Sequence, residues 1–270
     1  MANDKLTALI TGASAGIGAA FADVFAKYGF NLVLTARREE RLRSLAEDLS
    51  RKHNVAATFI PADLGNAEAP AKLVDEIRAR GMRIDALVNN AGYGVPGTYA
   101  STSWAEQRQF IQVLTTAPCE LAHLVLPEMI ERRQGYIINV ASLAGFLPGS
   151  SGSTLYGASK SFMIQFSRSL NMELQQHNVN VTAVCPGFTR SEFHEVAGLT
   201  KDVARMPRFM WMSADAVAEE GYRAVMQNKP VHVNGGLNRS IAALAKYLPD
   251  SIAFSIMKSQ SRSLRRSQGR

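Results

Sequence analysis

A phenol and an ammonium lie four residues apart in the stretch YGASK, where Tyr156 precedes Lys160 in a run that favours helix. Four residues is about one helical turn, so both side chains can lie on one helix face. A tyrosine beside a cation is a candidate proton donor and acceptor, because positive charge favours the phenolate. The same spacing occurs on solvated helix faces. The pair therefore indicates catalysis only if the chain also supplies a cofactor site, an oxyanion partner and a proton route.

The elements that must position this pair follow from an alternation of apolar and amphipathic runs. The apolar runs predict strands in LTALITG, FNLVLTA, VAATFIPAD, IDALVNNAG, GYIINVAS, VNVTAVCPG and PVHVN. The amphipathic runs predict helices in GIGAAFADVFAKYG, REERLRSLAEDLSRKH, APAKLVDEIRARG, residues 104–133, YGASKSFMIQFSRSLNMELQQH and SADAVAEEGYRAVMQN. This order predicts a three-layer, doubly wound, Rossmann-type α/β fold with a parallel sheet. Its ligand should lie outside the carboxyl ends of the strands.

The 270 residues suit a single α/β domain, which we expect over residues 1–237, with a substrate lid at about 188–213. Residues 238–270 are predicted to form a C-terminal helical segment and a basic tail. Within this segment, IAALAKYLPDSIAFSIMKSQ predicts one or two amphipathic helices split at Pro249. It could cover the substrate mouth, pack in a dimer or lie on a membrane surface, and we rank these roles in that order.

The net charge of +7 is concentrated at the C-terminus, because five Lys or Arg residues and no acid follow Asp250. The rest of the chain is nearly neutral, so a nucleic-acid partner is not expected. The basic tail is either a solvated terminus or a contact for an acidic partner or a lipid surface. The apolar runs are shorter than a membrane span and the N-terminus lacks a signal-peptide pattern, so a cytoplasmic protein is expected.

Cysteine and histidine give no sign of a metal site or a disulfide framework. Cys119 and Cys185 lie in apolar contexts without a CxxC pattern, and the five histidines are scattered without ligand spacing. No metal is therefore predicted.

A glycine-rich turn, TGASAGIG at residues 11–18, follows the first strand and opens the first helix. Gly12 suits a tight turn, Gly16 allows close backbone approach to a phosphate, and Gly18 allows the helix to pack against the strand. The same stretch contains GASAG, a G-x-S-x-G match that would make Ser14 a hydrolase nucleophile. That alternative is disfavoured, because the hydrolase turn needs strands and an oxyanion loop upstream.

Two arginines, Arg37 and Arg38, follow the second strand, where an NAD site normally offers an acid to the ribose hydroxyls. Guanidiniums there can pair with a 2′-phosphate but offer no acceptor to a diol. The sequence therefore favours NADP(H) as cofactor. Alternatively, the two arginines only begin the charged face of the next helix.

With these features in place, the chain resembles the short-chain dehydrogenase/reductase family over residues 5–235. The motifs that carry the resemblance are TGASAGIG, NNAG, NVAS, YGASK and PGFTRS, in family order. The resemblance implies an NADP(H)-dependent oxidoreductase that interconverts a ketone or aldehyde and an alcohol by hydride transfer. It also implies a homodimer or homotetramer, with contacts through the helix at 104–133 and the helix that carries Tyr156.

The resemblance also assigns roles to residues. It makes Tyr156 the general acid/base, Lys160 its activator and a ligand of the nicotinamide ribose, and Ser142 the hydroxyl that orients the substrate oxygen. Ser142 is preferred over the loop serines at 150–153 because it directly follows a buried strand. The residues implied to bind the cofactor are Gly12, Ser14, Ala15, Gly16, Ile17, Gly18, Arg37, Arg38, Asp63, Leu64, Asn90, Ala91, Gly92, Tyr156, Lys160, Pro186, Gly187 and Ser191. Ser191 replaces the usual threonine of the family and keeps its hydroxyl.

One position departs from the family pattern. The family usually places an asparagine in the long helix to hold water in a relay from the catalytic lysine to solvent, and here that position is Leu114. Leucine can neither donate nor accept a hydrogen bond. Three interpretations follow: Thr115, Thr116 or another water path supplies the route, the enzyme is slow, or the protein is a non-catalytic NADP-binding module.

The lid region is rich in methionine and aromatic residues, which favours an adaptable apolar wall. No Arg or Lys is clearly placed to bind an acidic substrate, so we expect an apolar ketone, aldehyde or secondary alcohol. The candidate substrate contacts are Tyr93, Phe146, Leu147, Phe209 and Trp211. Alternatively, such apolar side chains only anchor the lid to the body of the protein.

Overall fold

A computed structural model describes residues 5–149, 151–152, 154–190, 192, 207–249 and 251–255. Seven parallel strands form one sheet in the order β3-β2-β1-β4-β5-β6-β7. The strands are β1 (Thr7–Thr11), β2 (Asn31–Thr35), β3 (Ala57–Phe59), β4 (Ala86–Asn89), β5 (Gly135–Val140), β6 (Val179–Cys185) and β7 (Val231–Val233). The predicted doubly wound parallel fold is confirmed.

Eight α-helices flank this sheet in the described part of the chain. They are α1 (Gly16–Lys27), α2 (Glu39–His53), α3 (Ala69–Ala79), α4 (Trp104–Ile111), α5 (Ala117–Glu131), α6 (Thr154–Leu174), α7 (Ala214–Met226) and α8 (Gly236–Tyr247). Residues 251–255 are also helical, after a break that includes Pro249. The predicted boundary between residues 237 and 238 falls inside α8.

Both faces of the sheet are buried, which explains why its strands are apolar at nearly every position. Along β1, Ala8 and Ile10 pack into the apolar core beneath α1, α2 and α7, while Leu9 packs into the opposite core with α3 and α5. This alternation follows from the two-residue period of a strand. The sheet therefore forms the middle of three layers.

The helix predicted at 104–133 contains an irregularity that its pattern did not indicate. Gln112–Thr116 is a π-helical turn between α4 and α5, in which the Ala117 N–H donates to the Gln112 carbonyl. In the described chain, Trp104–Glu131 is long and apolar enough to cross a membrane by length and composition. However, Leu121 and Val125 are buried in the core, which is how a core helix of a globular domain packs.

The strand order reverses direction at β1, which lies between β2 and β4. At such a switch point the loops after neighbouring strands diverge and leave a crevice at the carboxyl ends. The glycine turn follows β1, the two arginines follow β2, and Asn90 follows β4. The fold thus brings the predicted cofactor segments to one edge of the sheet.

Candidate active site

A cavity of about 570 Å³ opens at the carboxyl edge of the sheet. Its wall is formed by the loops after β1, β2, β3, β4, β5 and β6, by the start of α6 and by part of α8. Of the residues predicted to bind cofactor or to act in catalysis, the following line it: Gly12, Ser14, Ala15, Gly16, Ile17, Arg37, Arg38, Asp63, Leu64, Asn90, Ala91, Gly92, Ser142, Tyr156, Lys160, Pro186 and Gly187. Ser191 lies outside the described residues.

The glycine turn is held in a shape that only glycine fits. Gly12 and Gly16 have φ values of +64° and +57°, in the left-handed region. Gly18 lies behind the cavity wall, where an added Cβ would be 2.3 Å from the Gly12 carbonyl oxygen. Ala15 precedes α1 without a side-chain cap, so the first backbone N–H groups of the helix are left for another acceptor. This arrangement fits a phosphate.

Asn90 ties the glycine turn to the end of β4. Its Nδ2 donates to the Thr11 carbonyl at 2.9 Å and to the Gly12 carbonyl at 3.3 Å. In return, the Thr11 hydroxyl oxygen accepts the N–H groups of Asn90 and Ala91 at 2.9 and 3.0 Å. The two loops beside the switch point are therefore fixed relative to each other.

The two predicted arginines differ in their surroundings. Arg38 donates to the Ser14 hydroxyl from Nε at 3.1 Å and from Nη2 at 2.9 Å, and its Nη1 contacts Glu192 at 2.7 Å. Arg41 contacts the other Glu192 oxygen at 2.6 Å, and both contacts lower the pKa of Glu192. Arg37 lines the cavity without a hydrogen bond or ion pair to another described residue. A guanidinium without such a partner in the described part of the chain, with a second guanidinium beside it, suits a phosphate dianion.

The described contacts of Ser14 are not those of a hydrolase nucleophile. Its hydroxyl accepts two hydrogen bonds from Arg38, whereas an activated serine needs a neighbouring base.

Within the described ranges, no group of three or more His, Cys, Asp or Glu side chains could hold a metal ion. Both cysteines are free thiols.

Ser142 and Tyr156 meet in the cavity, although they come from different elements. Ser142 lies two residues after the end of β5, where its hydroxyl accepts the Ala144 N–H at 3.1 Å, and Tyr156 lies in the first turn of α6. Burial raises the pKa of Tyr156, and a hydrogen bond with Ser142 lowers it by a smaller amount. Tyr156 is therefore a neutral phenol near pH 7, which is the form that can donate a proton.

Lys160 lies one turn further along α6 and is 7% exposed. Its Nζ is 5.6 Å from the centre of the Tyr156 ring and donates to the Val140 carbonyl at 2.8 Å. Burial lowers the pKa of Lys160 to about 8. The pKa of Tyr156 is raised by burial, so the lowering expected from this cation is not observed. The geometric prediction that both side chains share one helix face holds.

Leu114 lies in the π-helical turn and packs in an apolar cluster that includes Tyr156 and Tyr93. The Thr115 hydroxyl donates to the Ile111 carbonyl within its own helix, and Thr116 is exposed. Among the described residues, the hydrogen-bond acceptor of the Lys160 ammonium is the Val140 carbonyl. The side chain at the position of the family asparagine is thus an apolar wall.

The substrate side of the cavity differs in part from the sequence prediction. Tyr93 and Leu147 line it, but Phe146, Phe209 and Trp211 do not. Phe146 packs against a small core cluster around Met163, Trp211 packs on Phe188, and Phe209 is 77% exposed. The apolar lining comes instead from Val95, Phe110, Val113, Leu155, Met210 and Ile241. Composition indicated an apolar wall, but not which side of each loop faces inward.

The sequence analysis ranked covering the substrate mouth first among the roles of the C-terminal segment, but it named no residue of α8 in the cavity. Asn238 and Ile241 line the cavity, and the Asn238 side chain packs so closely on Gly187 that an added Cβ there would lie 2.6 Å away. Asn238 is held by a hydrogen bond from its Nδ2 to the Asn234 carbonyl at 2.8 Å. The signal available in the sequence was the amphipathic pattern after residue 236. That pattern gives no indication of which partner the helix contacts.

The fold and this site define a class: a doubly wound oxidoreductase domain with a nucleotide cleft and a buried tyrosine–lysine pair. The family model described as short chain dehydrogenase matches residues 6–201. The protein belongs to the short-chain dehydrogenase family, an oxidoreductase family that uses nicotinamide cofactors.

Individual relatives agree with this assignment. Sulfoacetaldehyde reductase 2 of Chromohalobacter salexigens is 40% identical over 187 residues, covering 68% of this chain and 73% of the relative. A short-chain dehydrogenase from Sphingobium yanoikuyae, solved in complex with NADPH, is 34% identical with a TM-score of 0.78, covering 90% of this chain and 96% of the other. A bulky-bulky ketone specific alcohol dehydrogenase from Comamonas testosteroni is 30% identical with a TM-score of 0.75, covering 92% and 96%.

Proposed function

We propose that the protein is an NADP(H)-dependent oxidoreductase that interconverts an apolar ketone or aldehyde and its alcohol. The observation that carries this proposal is the hydrogen-bonded Ser142–Tyr156 pair, with Lys160 beside the ring, in the same cavity as the glycine turn. When bound, the nicotinamide supplies or accepts the hydride. The side chains of this protein supply the proton and hold the reacting oxygen.

Ser142 and Tyr156 act on the substrate oxygen in the proposed reaction. In reduction, the neutral Tyr156 phenol gives its proton to the oxygen as the carbonyl carbon receives hydride. The Ser142 hydroxyl donates a second hydrogen bond to the same oxygen, which stabilises the developing negative charge. The buried Lys160 ammonium stabilises the phenolate that is left behind. In oxidation of the alcohol these steps reverse.

The choice of NADP(H) is supported by the arginines after β2. Arg37 and Arg38 line the cavity, and no acidic residue lies between Thr35 and Arg38 to accept the hydroxyls of an unphosphorylated ribose. The Sphingobium structure was solved with NADPH. An Arg37→Ala, Arg38→Ala variant is expected to lose about tenfold to a hundredfold in NADPH affinity, with little change for NADH.

The substrate class is supported by the cavity lining. The cationic side chains in the described lining are Arg37, Arg38 and Lys160, and all three are assigned to the cofactor or to Tyr156. The remaining wall is mostly apolar, so an uncharged carbonyl compound fits better than an acidic one. We also propose a cytoplasmic homo-oligomer that contacts its copies through α5 and α6.

A turnover assay tests the proposal. NADPH oxidation is followed with a panel of aliphatic and aromatic ketones and aldehydes, beside Tyr156→Phe and the matched control Tyr99→Phe, which changes another cavity tyrosine. Tyr156→Phe should lower kcat by about 10²- to 10⁴-fold while NADPH still binds, because the acid/base group is lost.

The second candidate, a non-catalytic NADP-binding module, is favoured by Leu114 at the relay position. Tight NADPH binding without turnover of any substrate in the panel would support the module and overturn the enzyme proposal. A Leu114→Asn variant that gained several-fold in kcat would identify a working enzyme with a weakened relay.

A further inference from the structure

The C-terminal segment exposes an unusual number of large apolar side chains. Five of the eleven exposed large apolar side chains in the described chain fall between residues 237 and 254: Leu237, Leu244, Tyr247, Ile252 and Phe254. Leu244 is 60% exposed and Tyr247 is 79% exposed. Single exposed apolar residues need no explanation, but a cluster of them marks an interaction surface.

The apolar residues of α8 lie on one side of the helix. Leu237 and Leu244 are seven residues apart, and Tyr247 is three residues further, so the three share one outward face. Asn238 and Ala242 are buried on the other side. This helix therefore has one side in the wall of the cavity and an apolar face towards the outside.

The part of the sequence that carries this apolar face is also rich in basic residues. Residues 236–270 contain seven Lys or Arg residues and one acid, Asp250, so they carry six of the seven net positive charges of the chain. Two of the basic residues, Arg239 and Lys246, belong to α8 itself. An apolar helix face flanked by basic residues is typical of helices that lie in the headgroup region of an anionic membrane.

We propose that α8 and the helical residues 251–255 form a docking surface for an anionic lipid bilayer, and that the basic residues that follow them in the sequence add positive charge. The apolar face enters the headgroup region, and the basic residues contact phosphate groups. A second copy of the chain fits this surface less well. A two-fold contact places the same patch of both copies together, and here it would bring Arg239 and Lys246 of two α8 helices close to each other.

The position of α8 gives this surface a consequence for the cavity. Asn238 and Ile241 line the cavity from the same helix, so docking would hold the cavity close to the bilayer. If the proposed function is right, an apolar carbonyl compound dissolved in the membrane has a short path to the site. The docking surface itself does not depend on that function, because it rests on exposure and charge alone.

Sedimentation with vesicles tests the docking surface in the full chain. The protein is mixed with vesicles of phosphatidylcholine alone or of phosphatidylcholine with phosphatidylglycerol. The expected result is sedimentation with the anionic vesicles, weakening as salt is raised, and little sedimentation with the neutral ones. Equal binding to both compositions, or to neither, would overturn the proposal.

Variants separate the apolar from the electrostatic contribution. Leu244→Glu with Tyr247→Glu is expected to lower vesicle affinity at least about tenfold, because two apolar contacts are lost and two negative charges are added. Arg262→Gln, Arg265→Gln and Arg266→Gln together should lower it about a hundredfold on anionic vesicles. The control is Trp104→Glu, which changes a side chain of similar exposure, 62%, at the start of α4.

Two further readouts make the outcome decisive. NADPH affinity and the thermal unfolding midpoint should be the same in all variants, which shows that they fold. Sedimentation equilibrium gives the oligomeric state. If the wild type binds no vesicles but forms a dimer that the Leu244→Glu, Tyr247→Glu variant loses, the apolar face is a contact with a second copy. Vesicle binding by a protein that turns over no carbonyl compound would leave the docking surface standing and overturn the proposed function.

Discussion

The two ends of the cavity are built on different principles. At the cofactor end, Gly12, Gly18 and Asn90 approach so closely that an added Cβ on either glycine would lie within 3 Å of neighbouring atoms. At the substrate end, Gly149 lines the cavity with nothing within 4 Å of its Cβ position, and the surrounding side chains are apolar. A fixed ligand selects one backbone geometry, whereas an apolar wall tolerates exchange of side chains of similar volume. Substitutions at the cofactor end should therefore lower stability strongly, whereas substitutions at the substrate end should be tolerated.

A pair of glycine substitutions gives the largest expected contrast. Gly18→Ala should lower the free energy of unfolding by about 3 kcal/mol, because the new methyl group meets the Gly12 carbonyl, which cannot move away. Gly149→Ala should change it by less than about 0.5 kcal/mol. Urea denaturation of both variants measures the difference. Equal stability of the two variants would show that the cofactor end is as tolerant as the substrate end.

Lys160 marks the boundary between the two ends, and its burial should cost stability. Its pKa is about 8 in the folded protein, below the ordinary value of 10.5, so the folded state holds fewer protons than the unfolded state between these pH values. Stability from this group is therefore lost as pH falls through 8 and is fully present above about 10.5.

Lys160→Met removes this cost. The variant is expected to be more stable than wild type by about 1–3 kcal/mol at pH 7, and to have little activity. The stability gap should close as pH rises from about 8 to 10.5, because wild-type Lys160 becomes neutral in both states. Denaturation across this pH range measures the gap, and a constant gap would contradict the depressed pKa.

Glu192 offers a milder test at the cofactor end. It contacts Arg38 and Arg41 at 2.7 and 2.6 Å, so in the proposed function its carboxylate would compete with the 2′-phosphate for the same guanidinium. Glu192→Gln should tighten NADPH binding by up to about fivefold and leave NADH binding unchanged. Glu39→Gln is the matched control, because Glu39 pairs at 2.7 Å with Arg43, outside the cavity lining. Titration calorimetry with both cofactors gives the ratio, and equal tightening for NADH would exclude competition with the phosphate.

The smallest effect is expected at the substrate end. Ile241→Ala removes apolar surface from the cavity wall and should raise KM for a large apolar substrate about threefold, without changing NADPH affinity. Leu237→Ala, on the outward side of the same helix, should leave KM unchanged. Steady-state kinetics with the best substrate of the panel compares the two, and a larger effect from Leu237 would place the substrate elsewhere.

The cofactor end was predictable from sequence because its signals are local. Local geometry is indicated by the spacing of the glycines and by the apolar runs that precede Asn90 and Ser142. The alternation of strands and helices then predicts that these segments lie at one edge of the sheet. The substrate end and part of the cofactor end depend on contacts between residues that are distant in sequence. Periodicity does not indicate that Asn238 packs on Gly187, that Phe209 points outward or that Glu192 reaches Arg38. Likewise, the burial that sets the Lys160 pKa is a property of the packed fold and not of the YGASK stretch.

The π-helical turn at Gln112–Thr116 has the geometry of a one-residue insertion into a regular helix. Each residue turns an α-helix by about 100°, so α4 and α5 are rotated against each other by roughly that angle relative to an unbroken helix. The rotation lets the stretch around Leu114 face Tyr156 while Leu121 and Val125 still face the sheet. Deleting one residue from this turn would restore a regular helix, in which Leu114 could not face Tyr156 while Leu121 and Val125 face the sheet. The turn thus changes the rotation of the helix, so that the same helix contributes side chains both to the cavity and to the core.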